Sequence, residues 1–491
     1  MPILSVARLS LALLLSISPF SSEALAHTVQ INATVPSNAS KVVDRSFIGF
    51  AFEQSSFYNY SFDPQGNPNE FSQNLVDAVL SRTGGTPLLR VGGTSGDHGR
   101  YDAWQKNATN YPATKYGPQK KISGNRLAIE PSYFEAFKNW PGANVDWARA
   151  GVNHIGVDNL YTMELGNELT FYPWFSIEAY AKRYQNLQAR LVAGIPALVD
   201  KRIFQALDTA SYAAGDLATK PASQSGLNDT ASSIKQVAYH YYQNQNGVAN
   251  FVALQDYVRR TGTKANITKF LPDINYLKNN HPAIGFVFTE TGYSVGGSGG
   301  KVDIETNNFA SALCSLDFQL CAMSMGSSLQ MWRPVKTSLG GPRVTAHFYS
   351  QPFVADFIGK SGKTRVVELE VGAPQNGLYA GYAAYDDGRL TRITLLNLQL
   401  WDSQRSSGDR PQAKFSLTGL KGTGSNITVH HLNADNGALA QTNVTYAGLE
   451  WTWASRGKQK KVKNDSKVLE INGNEVDIFV KTTQAVLLEI K

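Results

Sequence analysis

Short apolar runs alternate with segments of helical spacing between residues 46 and 355. The runs predict strands at 46–52, 87–91, 160–165, 203–207, 237–242, 284–289 and 327–332, with a weaker candidate at 126–130. Helical spacing occurs at 73–82, 176–192 (with Ser176 as N-cap) and 305–319. Alternating strands and helices indicate an α/β fold with a parallel sheet, and this length fits a (β/α)8 TIM barrel. A doubly wound sheet is the alternative, but no GxGxxG motif follows the first strand.

The hydrophobic pattern changes to a period of two after residue 355. Asp387-Gly388 and Asn472-Gly473 separate alternating segments, and such pairs are typical of hairpin turns. We therefore expect a catalytic barrel at 46–355 and an all-β sandwich domain at 356–491. The segment 27–45 opens with the alternating stretch "HTVQINATV". It precedes the barrel, and we expect its strand to complete the C-terminal sheet.

Residues 1–26 have the pattern of a secretory signal peptide. They contain one arginine, Arg8, an apolar run at 9–17, and Ala-Leu-Ala at 24–26. The apolar run is too short to span a membrane as an anchor. Glycosylation sequons begin at Asn32, Asn38, Asn59, Asn107, Asn228, Asn266, Asn426, Asn443 and Asn464. We therefore expect a secreted, extracellular, N-glycosylated protein.

The composition is that of a globular protein, with 42% hydrophobic and 17% charged residues, and it excludes disordered and fibrous classes. The net charge of +7 is compatible with an anionic substrate, although much of it lies at 455–467, which we expect to be a solvated loop. Cys314 and Cys321 stand seven apart in a helix-like stretch. On one helix that is about 10 Å of rise, too far for a disulfide. Either the helix ends between them or both thiols are free.

Two glutamates stand where a barrel carries its chemistry, at the C-terminal ends of the strands. Glu168 follows the fourth predicted strand and Glu290 follows the seventh. Glycoside hydrolysis requires two carboxylates that flank one bond, one protonated and one ionised. Two unrelated surface glutamates are the alternative, but Arg90 and Asn167 stand at neighbouring strand ends. This arrangement favours a carboxylate pair.

Glu164 lies four residues before Glu168, so on an extended strand it would face the same side about 13 Å deeper. A carboxylate at that depth is costly to desolvate unless it is paired. We expect Glu164 to bind a buried cation or hydroxyl as part of the scaffold.

The ordered motifs carry a family resemblance. "ELGNE" (164–168), followed by a glutamate at the end of strand seven, resembles clan A glycoside hydrolases, which are retaining (β/α)8 enzymes. "LLRVGGT" (88–94), "HYY" (240–242) and "ETGYSVGG" (290–297) look like family 79, which holds β-glucuronidases and heparanase. The resemblance covers nearly the whole mature chain. It implies a barrel with a C-terminal β-domain completed by the N-terminal strand.

The resemblance also implies roles for the residues of these motifs. Glu168 would be the acid/base, and Glu290 would be the nucleophile. Arg90 would keep Glu290 ionised, because an adjacent cation favours the charged carboxylate. Asn167 would bond the sugar 2-hydroxyl.

Tyr241 would bond the nucleophile or the region of the sugar ring. Tyr242 or His240 could hold that place instead, since the register of the strand is not determined. Glu53 and Thr94 would contact sugar hydroxyls far from the scissile bond.

Gly296 and Gly297 correspond to the family's glycine pair, whose backbone N–H groups hold the uronate carboxylate. Glycine lets successive amides approach an anion closely. Tyr293 could add its hydroxyl, and Gln330 and Trp332 could line the same pocket. A flexible surface loop is the alternative for the stretch around the two glycines.

The sequence thus predicts a secreted, retaining, exo-acting β-glucuronidase that acts on a glucuronide-containing glycan or glycoside. We expect no cofactor, no metal, and no nucleic-acid or membrane partner. Three alternatives remain: an endo-acting, heparanase-like enzyme on sulfated glycans, another clan A β-glycosidase, and a noncatalytic polysaccharide-binding relative. The long loop at 101–150 could wall off one end of the cleft, which favours exo action.

Overall fold

The computed structural model describes residues 26–86, 88–97, 100–101, 104, 106–110, 128–140, 144–145, 152, 155–210, 217–220, 223, 233–244, 248, 250–294, 307–327, 329–332, 343–372 and 377–491. The predicted signal peptide, except Ala26, lies outside these residues.

The strands of the first region are β1 (Ala26–Gln30), β2 (Ile48–Glu53), β3 (Leu88–Gly92), β4 (Arg100–Tyr101), β5 (Thr109–Asn110), β6 (Ala128–Ile129), β7 (Asn144–Val145), β8 (Met163–Glu164), β9 (Phe204–Thr209), β10 (Ile234–Asn244), β11 (Gly285–Ser294) and β12 (Leu329–Trp332). The later strands are β13 (Arg365–Glu368), β14 (Tyr379–Asp386), β15 (Arg389–Asn397), β16 (Gln412–Thr418), β17 (Asn426–Ala434), β18 (Val444–Tyr446), β19 (Leu449–Trp451), β20 (Gln459–Lys461), β21 (Ser466–Glu470), β22 (Glu475–Lys481) and β23 (Gln484–Ile490).

The α-helices are α1 (Gln54–Ser61), α2 (Glu70–Thr83), α3 (Thr94–Asp97), α4 (Ile177–Gly194), α5 (Phe251–Val258), α6 (Arg260–Thr268), α7 (Leu271–Asn280), α8 (Phe309–Met325) and α9 (Ser350–Ile358). The 3₁₀ helices are Pro131–Asn139, Val157–Asn159, Leu169–Phe171, Pro196–Leu198, Leu217–Thr219 and Ala346–Tyr349.

Eight strands form a parallel sheet in the order β7-β3-β2-β12-β11-β10-β9-β8. The last strand, β12, pairs in parallel with the first, β2. A (β/α)8 barrel brings its last strand beside its first in this way. The predicted α/β fold with a parallel sheet is confirmed. Pairing between the two short edge strands, β7 and β8, is not among the contacts of the described residues.

The sheet is covered on both faces, as a parallel sheet requires. Ala51, Leu88 and Val287 form a small apolar cluster on one face of the strands. Phe52 and Phe288 belong to the large core that the strands share with the surrounding helices. One face of the sheet therefore packs against the helices, and the polar site lies at the C-terminal ends of the strands.

Helix α4 begins where the sequence predicts. The side chain of Ser176 accepts a hydrogen bond from the backbone N–H of Ala179 at 3.1 Å, so Ser176 is the N-cap. Helix α8 begins later than predicted, at Phe309. Asn308 and Ser311 form a capping box there, and two otherwise unpaired backbone donors are satisfied.

Both cysteines lie on the continuous helix α8. Cys314 and Cys321 are buried and free. Of the two alternatives, the structure therefore selects free thiols. Burial raises the pKa of both thiols, and the carboxylate of Asp317 adds to the rise.

The later strands form a β-sandwich. One sheet has the order β13-β14-β15-β23-β17-β18-β19-β20, with β21 also paired to β17, and the other has the order β1-β16-β22. The N-terminal strand β1 pairs in parallel with β16, with Val29 opposite Leu417. Val29 and Leu417 from one sheet pack with Ile393 and Val486 from the other in a common core.

The two regions share a buried polar contact. Tyr382 of β14 donates its hydroxyl to Asp317 Oδ1 of α8 at 2.6 Å, and Arg260 pairs with Glu368 of β13 at 2.7 Å. Helix α9 runs across the predicted division between 355 and 356. The domain boundaries themselves stay predictions.

One strand prediction and one loop prediction need correction. Residues 128–129 do form a strand, but it belongs to a separate sheet of β4, β6 and β5, and β7 is the third strand of the parallel sheet. The stretch 455–467 contains the exposed strand β20 and the start of β21 as well as loop. The alternation in the stretch 126–130 was too short to identify its partner strand.

No helix in the described part of the chain is long and apolar enough to cross a membrane.

Candidate active site

Arg90 lies at the centre of the site. Its guanidinium, on β3, is 1% exposed and donates through Nε and Nη2 to Glu164 Oε2 and Oε1 at 2.7 and 2.5 Å. Nη1 donates to Glu290 Oε1 at 2.5 Å, and Nη2 also donates to Asn167 Oδ1 at 2.8 Å. Burial alone would lower the pKa of Arg90, but the carboxylates of Glu164 and Glu290 raise it well above its ordinary value. Arg90 is therefore a fixed cation that orients three side chains.

Glu290 is enclosed by donors. Its second oxygen, Oε2, accepts a hydrogen bond from the hydroxyl of Tyr242 at 2.7 Å. With Arg90 on the other oxygen, both carboxylate oxygens have a partner, and the side chain is 4% exposed. Hydrogen bonds and a cation favour the ionised form of a carboxylate. Glu290 is thus held as an oriented anion at the end of β11.

A β-bulge sets the direction of Glu290. Tyr239 on β10 lies opposite Phe288 on β11, but the next residue, His240, lies opposite Glu290. Thr289 is the additional residue on β11. Bulges often redirect a side chain next to an active site. Here the bulge brings Glu290 and His240 to the same face.

Glu168 stands on a tight turn rather than on a strand. Strand β8 ends at Glu164, Gly166 has φ +117°, and Glu168 itself has φ +48°. The backbone N–H of Glu168 donates to the carbonyl of Asp208 at 2.8 Å, which anchors the turn. A non-glycine residue in the left-handed region is uncommon and costs conformational energy.

Glu168 and Glu290 face each other across His240. Nδ1 of His240 lies 3.1 Å from Glu168 Oε1 and 3.9 Å from Glu290 Oε2. A carboxylate oxygen of Glu168 and one of Glu290 lie within 4.8 Å of each other. The side chain of Glu168 is 23% exposed, so it is the more accessible of the two. The sequence prediction that these two glutamates meet at one site agrees with this geometry.

Glu164 pairs with a buried cation, Arg90, as the sequence predicts. The estimated depth of about 13 Å below Glu168 assumed an extended chain and is wrong. The turn at Gly166 folds the chain back, and both glutamates have a carboxylate oxygen within 4.8 Å of a His240 ring nitrogen. Glu164 therefore belongs to the same polar cluster.

Among the residues that the structure describes, two groups of three side chains are spaced closely enough for a metal ion: Glu164, Asp208 and His240, and Glu168, His240 and Glu290. Each group contains a carboxylate that already accepts hydrogen bonds from Arg90. A fixed guanidinium repels a metal cation. The cluster therefore suits an arginine–carboxylate network better than a metal ion.

Asp97 is a positioning residue that the sequence reasoning missed. Its Oδ1 accepts the backbone N–H of Asn167 at 3.1 Å, and its Oδ2 accepts the hydroxyl of Tyr172 at 2.8 Å. Burial and then the bond to Asp97 raise the pKa of Tyr172. Asp97 thus links the loop after β3 to both ends of the Glu168 turn. The sequence signal was an acid directly after the glycine-rich "GGTSG".

Glu53 ends β2, and Thr94 follows the end of β3 by two residues. Glu53 Oε2 accepts hydrogen bonds from the hydroxyl and the backbone N–H of Ser95 at 2.6 and 3.1 Å. Gly93 has φ +77°, and a Cβ there would meet the Glu53 carboxylate at 2.6 Å, so glycine is required. Thr94 begins α3. Their predicted contacts with sugar hydroxyls stay predictions.

The prediction that Tyr241 contacts the nucleophile or the sugar ring is wrong. Its ring stacks on Phe318 of α8 at 4.7 Å and belongs to the outer core, and its hydroxyl donates to Gln243. Side chains alternate along a strand, so His240 and Tyr242 face the site while Tyr241 faces the helices. Tyr242 holds the place that was assigned first to Tyr241.

Five residues that were predicted to contact the substrate have few or no described side-chain contacts. Tyr293 is buried on β11 with its ring 6.5 Å from that of Tyr257. Gln330 and Trp332 lie on β12, where the backbone alone is described. Gly296 and Gly297 lie outside the described residues. Their predicted roles stay predictions.

Residues 381–487 match the family model of the glycosyl hydrolase family 79 C-terminal beta domain. A beta-glucuronidase from Aspergillus niger is 26% identical over 501 residues, covering 89% of this chain and 88% of that protein. A beta-glucuronidase from Neurospora crassa is 24% identical over 87% of this chain and 88% of that protein. The solved structure of a 4-O-α-L-rhamnosyl-β-D-glucuronidase from Fusarium oxysporum 12S, in complex with Rha-GlcA, superposes with a TM-score of 0.78 at 20% identity. The superposition covers 94% of this chain and 100% of the chain of the Fusarium enzyme.

The family match lies within the β-domain, and the curated relatives extend over the parallel sheet and its site. The sequence motifs, the paired glutamates and these comparisons agree with one another. The chain is therefore a glycoside hydrolase that resembles family 79.

Proposed function

We propose that the chain is a retaining, exo-acting β-glucuronidase. The observation that carries the proposal is the distance within 4.8 Å between carboxylate oxygens of Glu168 and Glu290. Retaining glycosidases hold their two carboxyl groups about 5–5.5 Å apart, whereas inverting enzymes need about 6.5–9.5 Å to admit a water molecule. We infer that the sugar is glucuronic acid from the similarity to two β-glucuronidases. We further infer that the eight strands close into a (β/α)8 barrel around this pair.

In the first step, Glu290 Oε attacks the anomeric carbon and the glycosidic C–O bond breaks. Glu168, in its protonated form, transfers its proton to the leaving oxygen, so the aglycone departs as a neutral alcohol. Arg90 and Tyr242 orient the attacking carboxylate. The products of this step are a glycosyl ester on Glu290 and an ionised Glu168.

In the second step, Glu168 takes a proton from water. The resulting oxygen attacks the anomeric carbon, the ester bond to Glu290 breaks, and glucuronate leaves with its original configuration. Glu168 ends protonated and Glu290 ends ionised, so the enzyme is ready for another cycle. The 23% exposure of the Glu168 side chain gives it access to water.

The uronate carboxylate would bind the backbone N–H groups of Gly296 and Gly297, and the amide of Asn167 would bond the 2-hydroxyl. Arg90 accounts for the orientation of Asn167, because it holds the amide oxygen and leaves the NH₂ group for another acceptor.

Secretion and N-glycosylation belong to the same proposal. Asn32, Asn38, Asn59, Asn107, Asn443 and Asn464 are exposed, as attachment of a glycan requires. Expression with residues 1–26 in a fungal or animal secretory host should yield a mature chain that begins at His27 and shifts in mobility with an endoglycosidase.

A panel of nitrophenyl glycosides tests the substrate. We expect kcat/KM for the β-glucuronide to be at least tenfold higher than kcat/KM for the β-glucoside. In a separate incubation, we expect the chains of heparan sulfate to keep their length. Proton NMR should show the β-anomer of glucuronate first. Preference for the glucoside, shortening of heparan sulfate chains, or the α-anomer as first product would each contradict the proposal.

Glu290→Gln should lower kcat for the aryl glucuronide by about 10⁴-fold or more, since loss of a nucleophile removes the covalent route. The amide still accepts from Arg90, so the fold should persist. Glu135→Gln is the matched control, because Glu135 is exposed and pairs with Lys138 on the surface. Near-normal turnover by Glu290→Gln would refute the assignment.

A further inference from the structure

A cavity lies on the outer side of strand β2, next to helix α2. We call it the Arg343 cavity. Phe50 and Phe52 of β2, Phe71 and Leu75 of α2, Trp140 and Phe348 supply its apolar walls, and Arg343 and Gln351 also line it. Its volume is about 160 Å³.

The cavity and the active site lie on opposite faces of β2. Successive side chains of a strand point to opposite faces. Ala51 belongs to the inner cluster and Glu53 reaches Ser95 at the end of the neighbouring strand, β3. Phe50 and Phe52 alternate with them and belong to the outer core beside the helices. A ligand in the Arg343 cavity would therefore not enter the glycosidase site.

Arg343 presents an unused pair of donors. Its Nε and Nη2 are buried and have no hydrogen-bond partner in the described part of the chain. These two nitrogens form the side of a guanidinium that binds a carboxylate in two parallel hydrogen bonds. In this same chain, Arg90 uses Nε and Nη2 in that manner to hold Glu164. The two parallel donors of Arg343 therefore suit a planar anion such as a carboxylate.

Gln351 presents an unused acceptor. It is 3% exposed, and its Oε1 also has no hydrogen-bond partner among the described residues. Buried donors and acceptors are costly when they stay unpaired. Two such groups on the wall of one apolar cavity are a second, independent sign that a polar ligand completes it.

We propose that the Arg343 cavity binds a small aromatic carboxylate that carries a hydroxyl group, of the hydroxybenzoate class. An apolar cavity of about 150 Å³ accommodates a benzene ring, so the volume suits one ring. The carboxylate accepts from Nε and Nη2 of Arg343, the ring lies among the aromatic side chains, and the hydroxyl donates to Gln351 Oε1. The ligand carboxylate offsets the cost of burying Nε and Nη2 of Arg343 without a partner.

Isothermal titration of the purified full-length protein with 4-hydroxybenzoate tests the proposal. We expect saturable binding at one site per chain. Arg343→Met should weaken it by about tenfold or more, because hydrogen bonds to a charged group are lost. 4-Hydroxybenzyl alcohol, which lacks the charge, should bind weakly and equally to both proteins. Arg405→Met is the matched control, since Arg405 is exposed, and it should bind 4-hydroxybenzoate as the parent does.

Three further measurements test the proposal, and the first separates this site from the catalytic one. Saturating glucuronate should leave the affinity for 4-hydroxybenzoate unchanged. Without ligand, Arg343→Met should unfold at a higher temperature than the parent, because two buried donors without a partner in the described part of the chain are removed. Arg343→Lys keeps the charge without the paired donors, and it too should weaken binding. Absence of binding at millimolar concentration, equal binding by Arg343→Met, or displacement by glucuronate would overturn the proposal.

Discussion

At the scale of single residues, the two glutamates of the site differ in their surroundings. Glu290 is 4% exposed and has a donor on each oxygen, from Arg90 and Tyr242. Glu168 is 23% exposed and has His240 beside it. An enclosed, oriented anion suits attack on carbon, and a more accessible carboxyl suits exchange of a proton with a leaving group and with water.

Glu168→Gln should affect substrates according to their leaving groups. Hydrolysis of a methyl or sugar glucuronide should fall by about 10²–10⁴-fold, since protonation of the leaving oxygen is lost. Formation of the intermediate from a dinitrophenyl glucuronide needs no proton and should be nearly unchanged in a pre-steady-state burst. Added azide should restore turnover as a glucuronyl azide. An equal loss for all leaving groups would contradict the acid/base role.

Tyr242→Phe and Tyr241→Phe form a matched pair, because the two tyrosines are neighbours on β10 whose side chains point to opposite faces of the sheet. Tyr242→Phe removes the hydrogen bond to Glu290 Oε2 and should lower kcat by about tenfold or more. Tyr241→Phe alters the outer core and should leave kcat within about twofold of the parent, because its ring still stacks on Phe318. Steady-state kinetics on the aryl glucuronide check both values, and the reverse order would restore the original assignment to Tyr241.

At the scale of elements, the site depends on two local irregularities. The bulge between β10 and β11 brings Glu290 opposite His240, and the turn after β8 carries Glu168 in a left-handed conformation. Asp97 and the carbonyl of Asp208 hold the turn through its backbone N–H groups. In this arrangement a carboxylate oxygen of Glu168 and one of Glu290 lie within 4.8 Å of each other.

Gly166→Ala tests the turn. Gly166 has φ +117°, and a Cβ would meet the Leu169 side chain at 2.8 Å. We expect a loss of about 1–3 kcal/mol in the free energy of unfolding, together with a lower kcat as Glu168 moves. Gly194→Ala is the control, because Gly194 ends α4 with nothing within 4 Å of its Cβ. Urea unfolding and kinetics should show that Gly194→Ala is neutral or stabilising, and similar behaviour of both variants would argue against a strained turn.

At the scale of the whole molecule, the first described strand completes the last domain. β1 lies beside β16 in the three-stranded sheet, and Val29 is fully buried in the core of the sandwich. The β-domain in turn contacts the parallel-sheet region through Tyr382 and Asp317. The β-domain therefore combines β1, which precedes the parallel sheet in the chain, with strands that follow it.

Val29→Asp should destabilise the protein by about 3 kcal/mol or more, because a carboxylate is placed in an apolar core without a partner. Thr28→Asp introduces the same charge on the exposed face of the same strand and should change the free energy of unfolding by about 0.5 kcal/mol or less. Thermal and urea unfolding measure both. Equal effects would contradict the pairing of β1 with the sandwich.

Long periodic segments and their caps were predictable from the sequence. Helix α4 with its Ser176 N-cap and the strands that carry Glu290 and Arg90 lie where the patterns indicated. Strand β7 was not predictable, because it has two residues and a period of two needs several residues to stand out. Strand β8 lies inside the predicted strand at 160–165, but it is only two residues long.

The amino-acid sequence alone was enough to predict the parallel α/β region followed by alternating strands, the meeting of Glu168 and Glu290, and a buried cation for Glu164. Those features depend on residue type and local spacing. The tertiary structure decided which tyrosine meets Glu290, that Asp97 supports the Glu168 turn, and that both cysteines stay free on one helix. The reason is that a bulge or a left-handed residue changes the facing of every side chain after it, and such irregularities are stabilised by contacts with distant strands and loops rather than by their own sequence.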